Sequence, residues 1–571
     1  MSLPIWILAP LLPLVAGVLI GLLGTRLRDQ SYKIGVPAVA GAFAVAIWAL
    51  FNVGRQEAPL SSLFWSLPLP ASPWFRFGLQ LDRLSAVMMV LITGVSLTIH
   101  LYSRNYMQGD RGYARFYALL GLITAVLLFL VTSANLFLLF VCWQLVSWLL
   151  YLLLVHNYGY GPAVKSAMKT WIILRLGDVA FLSGVVLAYH TYGTLELSEL
   201  FERAAQHAAV VSLWPQGPEI DAVTAVTLLL FVGAMSKSAQ FPLHVWLPDT
   251  MDTPTPVSAL MHAGIVNAGG FLFNRLAPLF GQALDTLHVA FVIGGLTAIV
   301  GATIMLTQPD VKKMLGFSTM GQMGYMTMEC GLGAFALAIF HLVAHGIFKA
   351  TLFLHAGNIV HQARREPKFP PGFEREDVDV HPHLPWLTGV AVTLVLPLAI
   401  LLAAHGLLHI PLQSQQGAIV FLFFAWVTSS QAILSLYRLR AVGSWKVAGL
   451  MVIAIALVVA TYLWAAEAFT HFLYPSPGEA ARYFEVAAFP LWLFDLFVMT
   501  VTLFVVMGWV VVYTNIKGQR SFMPGWIAGL MPRLYVWFWN RLFIDALYER
   551  IVQAMARWAF RVNAKLPEWL P

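Results

Sequence analysis

The chain has 571 residues, of which 59% are hydrophobic and 11% charged, a balance that excludes a soluble globular protein and leaves a polytopic membrane protein. Its net charge of +7 comes from lysine and arginine gathered into particular loops, so it gives no reason to expect nucleic-acid binding.

In chain order, apolar runs of about 20 residues predict spans near 3–24, 33–53, 80–103, 115–131, 134–155, 168–190, 222–241, 255–279, 286–307, 312–332, 334–359, 385–408, 416–437, 447–470 and 490–513. The expected fold is therefore an all-α polytopic membrane protein with about fifteen transmembrane helices. The first run is too long for a signal peptide and no small-residue cleavage site follows it, so it reads as a retained helix.

Basic residues fall almost wholly in alternate loops: Arg26, Arg28 and Lys33; Arg104, Arg111 and Arg115; Lys165 and Lys169; Lys312 and Lys313; Arg364, Arg365, Lys368 and Arg375; Arg438, Arg440 and Lys446; Lys517, Arg520 and Arg533. The other loops hold little beyond Arg55, Arg76, Arg203, Arg275 and Arg482. By the positive-inside bias the N-terminus faces outward and the C-terminus the cytoplasm. Two longer polar connections interrupt the series, 191–221 outside and 360–384 inside. The charged, proline-rich second one is the expected docking surface. After the last span, residues 528–565 mix aromatics with Arg541, Asp545, Glu549, Arg550, Arg557 and Arg561, the pattern of an amphipathic helix lying in the cytoplasmic interface. Cys142 and Cys330 both fall in apolar spans, which excludes a disulfide framework or a cysteine metal site.

Polar residues inside the spans are few and they cluster. Lys237 stands in GAMSKSAQFPLHVWLPD, where an ammonium costs roughly 2.5 to 3.5 kcal/mol on insertion scales. Pro242, Pro248, Pro254 and Pro256 follow it, and a broken helix is tolerated at membrane depth only where it lines protein or water. Arg175 and Asp178, three apart, share a helix face and can neutralise each other. His262, Lys312 and Lys313 come next, then His341, His345 and Lys349, spaced by four and so projecting from one stripe. His355 and His405 continue the series. Such a row can hold water and pass protons. A single histidine in a membrane helix is ordinarily a satisfied structural contact, but pairing alone does not account for lysines repeated at break and stripe positions. No phosphate loop, nucleophile elbow or zinc-spaced ligand set is present, and His405 with His409 lacks a third ligand. The chain is expected not to be an enzyme.

FGLQLDRLSAVM from Phe77, RLGDVAF from Arg175, SKSAQFPLHVWLPD from Ser236, PTPVSALMHAG from Pro254, QPDVKKMLGFSTMGQMGYM from Gln308 and FHLVAHGIFKATLFLHAGNI from Phe340 resemble the antiporter-like, proton-translocating subunit family. That family is shared by complex I, Mrp-type cation/proton antiporters and membrane-bound hydrogenases, and the resemblance is strongest to the L-type subunit. It implies two inverted five-helix repeats, each with a broken helix, and a division into N-terminal helices (1–110), first repeat (111–280), second repeat (281–440), C-terminal helices (441–515) and a cytoplasmic amphipathic segment (516–571). It implies roles in proton translocation for Lys237, Asp178, Arg175, Lys312, His341, His345 and Lys349, and with His262 and His405 from the row above these make up the expected proton relay.

Two positions depart from the family pattern. Gln144 stands where L-type proteins pair a glutamate with the central lysine, and the second broken helix offers only His405 where a second lysine is usual. The short C-terminus resembles the membrane subunit of DAB-type inorganic carbon accumulation complexes of bacteria. That resemblance implies a multi-pass protein of the cell inner membrane, bound to a large cytoplasmic, zinc-containing, carbonic-anhydrase-like partner, with no cofactor in this chain. The competing expectations are a subunit of an NADH:quinone oxidoreductase or Mrp-type antiporter, and a passive membrane anchor.

Overall fold

In a computed structural model of the protein, which describes residues 4–54, 60–66, 76–212, 217–365, 464–476, 478–516 and 525–569 and the isolated positions 399, 416 and 453, the apolar runs form helices packed side by side. The first group is α1 (Leu8–Leu27), α2 (Tyr32–Val53), α3 (Arg83–Tyr106), α4 (Tyr113–Thr132), α5 (Leu136–Leu154) and α6 (Gly161–Tyr192). A short α7 (Leu197–Gln206) leads to the interrupted passage of α8 (Ala222–Lys237), α9 (Thr255–Ala263) and α10 (Ala268–Arg275). The short α11 (Ala277–Phe280), then α12 (Leu284–Met305), α13 (Val311–Gly331) and α14 (Phe335–Arg365) follow, and the chain ends in α15 (Glu479–Ala487), α16 (Leu491–Ile516), α17 (Gly525–Trp539) and α18 (Ile544–Trp569). Among the described residues nine helices are long and apolar enough to cross a bilayer, or ten if the bent pair α15 and α16 is one span. The chain is thus an all-α polytopic membrane protein in its bulk.

Several boundaries follow from local chemistry. The Asp82, Asn135, Asp221 and Asp310 side chains accept backbone N–H groups at the starts of α3, α5, α8 and α13, satisfying donors the helix cannot. Helix α6 begins seven residues before the predicted 168, because Pro162 suits a first turn; Lys165 rides on this extension and Lys169 follows directly after it. Apart from positions 399 and 416, predicted spans 385–408 and 416–437 lie outside the described residues, as do most of 447–470, residues 366–384 of the second connection and His405, whereas 360–365 continue α14.

Three features depart from expectation. Two small antiparallel hairpins form, β1 (Leu60–Ser66) with β2 (Arg76–Leu81) and β3 (Val210–Ser212) with β4 (Glu219–Asp221), the second within the 191–221 connection. Arg275, read as a loop residue, is buried and bonded to Asp82, to Ser85 Oγ at 2.7 Å and to the Val131 carbonyl at 2.9 Å. The C-terminal segment is two helices, since Arg541, Leu542 and Phe543 all take left-handed backbone angles and break the chain between α17 and α18. That turn aims Arg541 and Asp545 back at the bundle.

Candidate functional site

Helix α8 stops at Lys237 because the chain cannot continue it: Ala239 has φ +48° and Pro242 brings no N–H. The break ends at Pro254, and α9 then starts back across the bundle. Packing of α6 against α8 is close enough that a Cβ on Gly177 would collide with Ser236. Only glycine permits this approach, and it brings Asp178 to the neighbourhood of Lys237.

Lys237 is fully buried. Its Nζ donates to the Trp143 carbonyl at 2.8 Å and to Ser147 Oγ at 2.6 Å, and lies 4.7 Å from the centre of the Trp143 ring. Asp178 accepts Trp143 Nε1–H at 2.9 Å and pairs with Arg175 Nη2 at 2.6 Å, so Trp143 touches both the lysine and the carboxylate. Gln144 takes a donated hydrogen bond from Arg175. Gln144 is thus a neutral acceptor for the arginine, and neutral groups hold the lysine.

The second group lies on α9, α13 and α14. His262 is fully buried and stacks on Phe353 with ring centres 4.2 Å apart; a Cβ on Gly316 would stand 3.8 Å from its Cε1. Lys349 points its Nζ toward the Leu315 carbonyl at 3.4 Å. His345 is buried, 6.4 Å ring to ring from His341. Neither ring nitrogen of His262 or of His345 has a hydrogen-bond partner among the described residues. Lys312 donates to the carbonyls of Met251 and Thr253 at 3.2 and 3.4 Å, at the mouth of the stripe and not within it. His355 is exposed on α14 and does not belong to the row. No hydrogen bond among the described residues joins the Lys237 group to the His262 group.

A polar cavity of about 1360 Å³ opens beside Lys312, between the α3–α4 and α5–α6 turns and residues 251–255. Its lining includes Asp110, Arg115, His156, Asp252 and Lys312. Burial pushes the His156 imidazole below its ordinary value, against the pull of Asp110. Arg111, Arg115 and Lys312 give this lining a basic character.

On the same face four charged groups close over the end of the break. Asp249 accepts from Lys169 Nζ at 2.6 Å and from Arg541 Nη1 at 2.6 Å; Asp545 accepts from Lys169 at 2.5 Å and from Arg541 at 3.2 Å. Burial alone would raise the Asp249 carboxyl, but Arg541 and Lys169 outweigh it and hold it below the ordinary value of 3.8. Burial likewise works against the Arg541 charge, and the two carboxylates more than restore it.

Sequence reasoning passed over several of these residues. Trp143 and Ser147 are four apart and share a face of α5, a spacing visible in LFVCWQLVSWLLYLL. Glu329, a carboxylate inside an apolar run, bears the same signal that singled out Lys237. Among the described residues no group of three or more histidine, cysteine, aspartate and glutamate side chains could hold a metal ion.

Residues 133–371 match the family described as NADH:quinone oxidoreductase/Mrp antiporter, TM, and residues 70–117 match the complex I chain 5 N-terminus. The chain is 38% identical over 577 residues to the "Probable inorganic carbon transporter subunit DabB1" of Halothiobacillus neapolitanus, covering 99% of this chain and 98% of that protein. It is 38% identical over 365 residues to NADH-quinone oxidoreductase subunit L of Neisseria meningitidis serogroup A, covering 62% of this chain and 54% of that one. The chain thus spans about half the length of this respiratory relative. In fold it is similar to a chain of the Mrp complex from Dietzia (TM-score 0.58, 23% identity, 99% of this chain and 60% of that one) and to one of respiratory complex I from Thermus thermophilus (TM-score 0.54, 22% identity, 84% and 99%).

Proposed function

The chain belongs to the antiporter-like, proton-translocating membrane family that complex I and the Mrp antiporters share, and from that premise we propose that it is the proton-conducting subunit of an inorganic carbon uptake complex. In this reading downhill proton flow drives hydration of CO2 and retention of bicarbonate by a cytoplasmic, zinc-containing, carbonic-anhydrase-like partner. The observation that carries it is similarity along the whole length to DabB1, whereas the respiratory relative matches only 62% of the chain. The family is a membrane transport module, and catalysis belongs to a partner. The proposal includes about fifteen spans in two inverted five-helix repeats, an outward N-terminus, and a cytoplasmic basic face where the partner docks.

Lys237 is the central relay. An ammonium carries three N–H donors and an amine two; the site offers two oxygen acceptors and the face of Trp143. Both protonation states therefore keep the same two hydrogen bonds, and the proton can leave without rebuilding the site. Asp178 and Arg175 set the local field, and Gln144 holds the arginine in place of a switching carboxylate. His262, Lys349, His345 and His341 are the onward path, with Lys312 at its approach from the basin and His405 beyond. Water between Lys237 and His262 carries the proton over the stretch that no side chain bridges.

Lys237→Ala is expected to abolish uncoupler-sensitive inorganic carbon uptake while the complex still assembles; normal uptake by that variant sinks the relay assignment. Purification in mild detergent separates the partners: one large zinc-bearing soluble protein supports this reading. Flavin and iron–sulfur subunits support the respiratory alternative, which rests on the 38% identity to subunit L.

A further inference from the structure

Glu329 lies in the last turns of α13 and is only 1% exposed. An isolated carboxylate there costs several kcal/mol unless it is paired and hydrogen-bonded. Its partner is His341 of α14, whose Nδ1 is 3.1 Å from Oε2 and 3.3 Å from Oε1. The other ring nitrogen, Nε2, is 2.8 Å from Gln322 Oε1. Gln322 and Glu329 are seven residues apart on α13, two turns along one face, so the pair straddles the imidazole.

We propose that Glu329 is a further proton-exchanging residue of the relay, forming with His341 a carboxylate–imidazole pair through which the stripe on α14 reaches the face opposite the basic one. The inference rests on the function proposed above. Its basis is that every hydrogen bond survives the transfer. With the proton on His341, both ring N–H groups donate, one to Glu329 and one to Gln322. When the Nδ1–H bond breaks and an O–H bond forms on Glu329, the new hydroxyl donates to Nδ1 and Nε2–H still donates to Gln322. The ion pair becomes a neutral pair, no group loses a partner, and nothing has to rotate.

Placement puts this pair at one end of the α14 stripe. His341, His345 and Lys349 descend one stripe of α14 from the Glu329 end toward Leu315. Among the described residues, the turn of Leu332, Gly333 and Ala334 follows Glu329 at this end of α13. The N–H groups of Leu332 and Ala334 both donate to the Glu329 carbonyl. Gly333, at φ +72°, lies so close to the Tyr483 carbonyl of α15 that no side chain would fit, so α15 is the cover over this end. In the proposed orientation that is the outer side.

The test uses the full chain with its co-purifying partner, reconstituted in vesicles carrying an internal pH dye. Glu329→Gln keeps the shape and a hydrogen bond to His341 but cannot exchange the proton; flux under an imposed pH gradient is expected to fall roughly a hundredfold or more, with Glu329→Asp retaining a measurable part. Wild-type flux in an assembled Glu329→Gln variant overturns the proposal. Lys237→Ala in the same vesicles separates the two readings: if it alone blocks flux, only the Glu329 role fails, and if it conducts normally the relay reading fails first. Should Glu329→Gln not assemble, dicyclohexylcarbodiimide, which adds to protonated carboxyl groups in apolar surroundings, is applied to the wild-type chain. Flux lost in proportion to label on Glu329 supports the role; absence of label there, or full label with unchanged flux, overturns it.

Discussion

Arg541→Ala is expected to loosen α18 from the bundle by about 2 kcal/mol. Arg541 is 14% exposed and bonds to Asp249 at 2.6 Å and to Asp545 at 3.2 Å. A hydrogen bond to a charged group contributes about 1.5 to 3 kcal/mol when well formed. The carboxylates are 27% and 31% exposed, so solvent screening places the short bond near the low end, about 1.5 kcal/mol, and the long (i, i+4) contact near about 0.5 kcal/mol. Lys169 still bridges both carboxylates in the variant, which keeps the loss from growing further. At about 1.4 kcal/mol per factor of ten, the docked fraction of α18 changes roughly thirtyfold in equilibrium constant. Hydrogen–deuterium exchange of the amides in Ile544–Trp569, followed by mass spectrometry on the purified complex, reads that opening directly. Lys165→Ala is the control: its pair with Glu549 is 3.9 Å long and its side chain is 85% exposed, so exchange should not change. If Arg541→Ala exchanges like wild type, the Arg541–Asp249 bond is not what holds α18 on the break.

The same cluster predicts a pH dependence. Asp249 is held below its ordinary value of 3.8, so its contribution is complete above that pH and is lost as pH falls through the lowered value; exchange of α18 should rise in acid and stay flat between neutral and mildly acidic pH. Ser147→Ala removes one of the two oxygen acceptors of Lys237, about 1.5 to 3 kcal/mol of hydrogen bonding to the ammonium, and should reduce vesicle proton flux about tenfold without loss of assembly. Arg275→Ala leaves Asp82 unpaired where the arginine side chain was 3% exposed. A cost of about 3 to 5 kcal/mol should appear as a lower thermal transition in detergent, and an unchanged transition would refute the structural role of that pair.

Much of this protein was legible from one dimension. Hydropathy located α2, α4, α5, α12 and α13 to within about two residues, because the cost of an unsatisfied backbone in lipid makes each span a local, self-contained decision. The histidine and lysine stripe of α14 was legible for the same reason, since a spacing of four fixes a common face within a single helix. Arg175 and Asp178, three apart, met as expected.

Contacts between helices were not legible. Nothing in the neighbourhood of Lys237 says that its acceptors are Trp143 and Ser147, 94 and 90 residues earlier. Arg275 reads as a loop residue until the bundle brings it to Asp82 across 193 residues. The C-terminal segment read as one interfacial helix, because amphipathicity reports only that a face is charged. That two of those charges belong to Asp249 and Lys169, at the cost of three left-handed residues, depends on where the break in the first half comes to rest. Which segments are apolar enough to span a bilayer, and which charges they carry, follows from transfer free energies that are local and additive along the chain. Which groups neutralise, hydrogen-bond and orient one another follows from packing, because those energies depend on distance and burial between residues far apart along the chain.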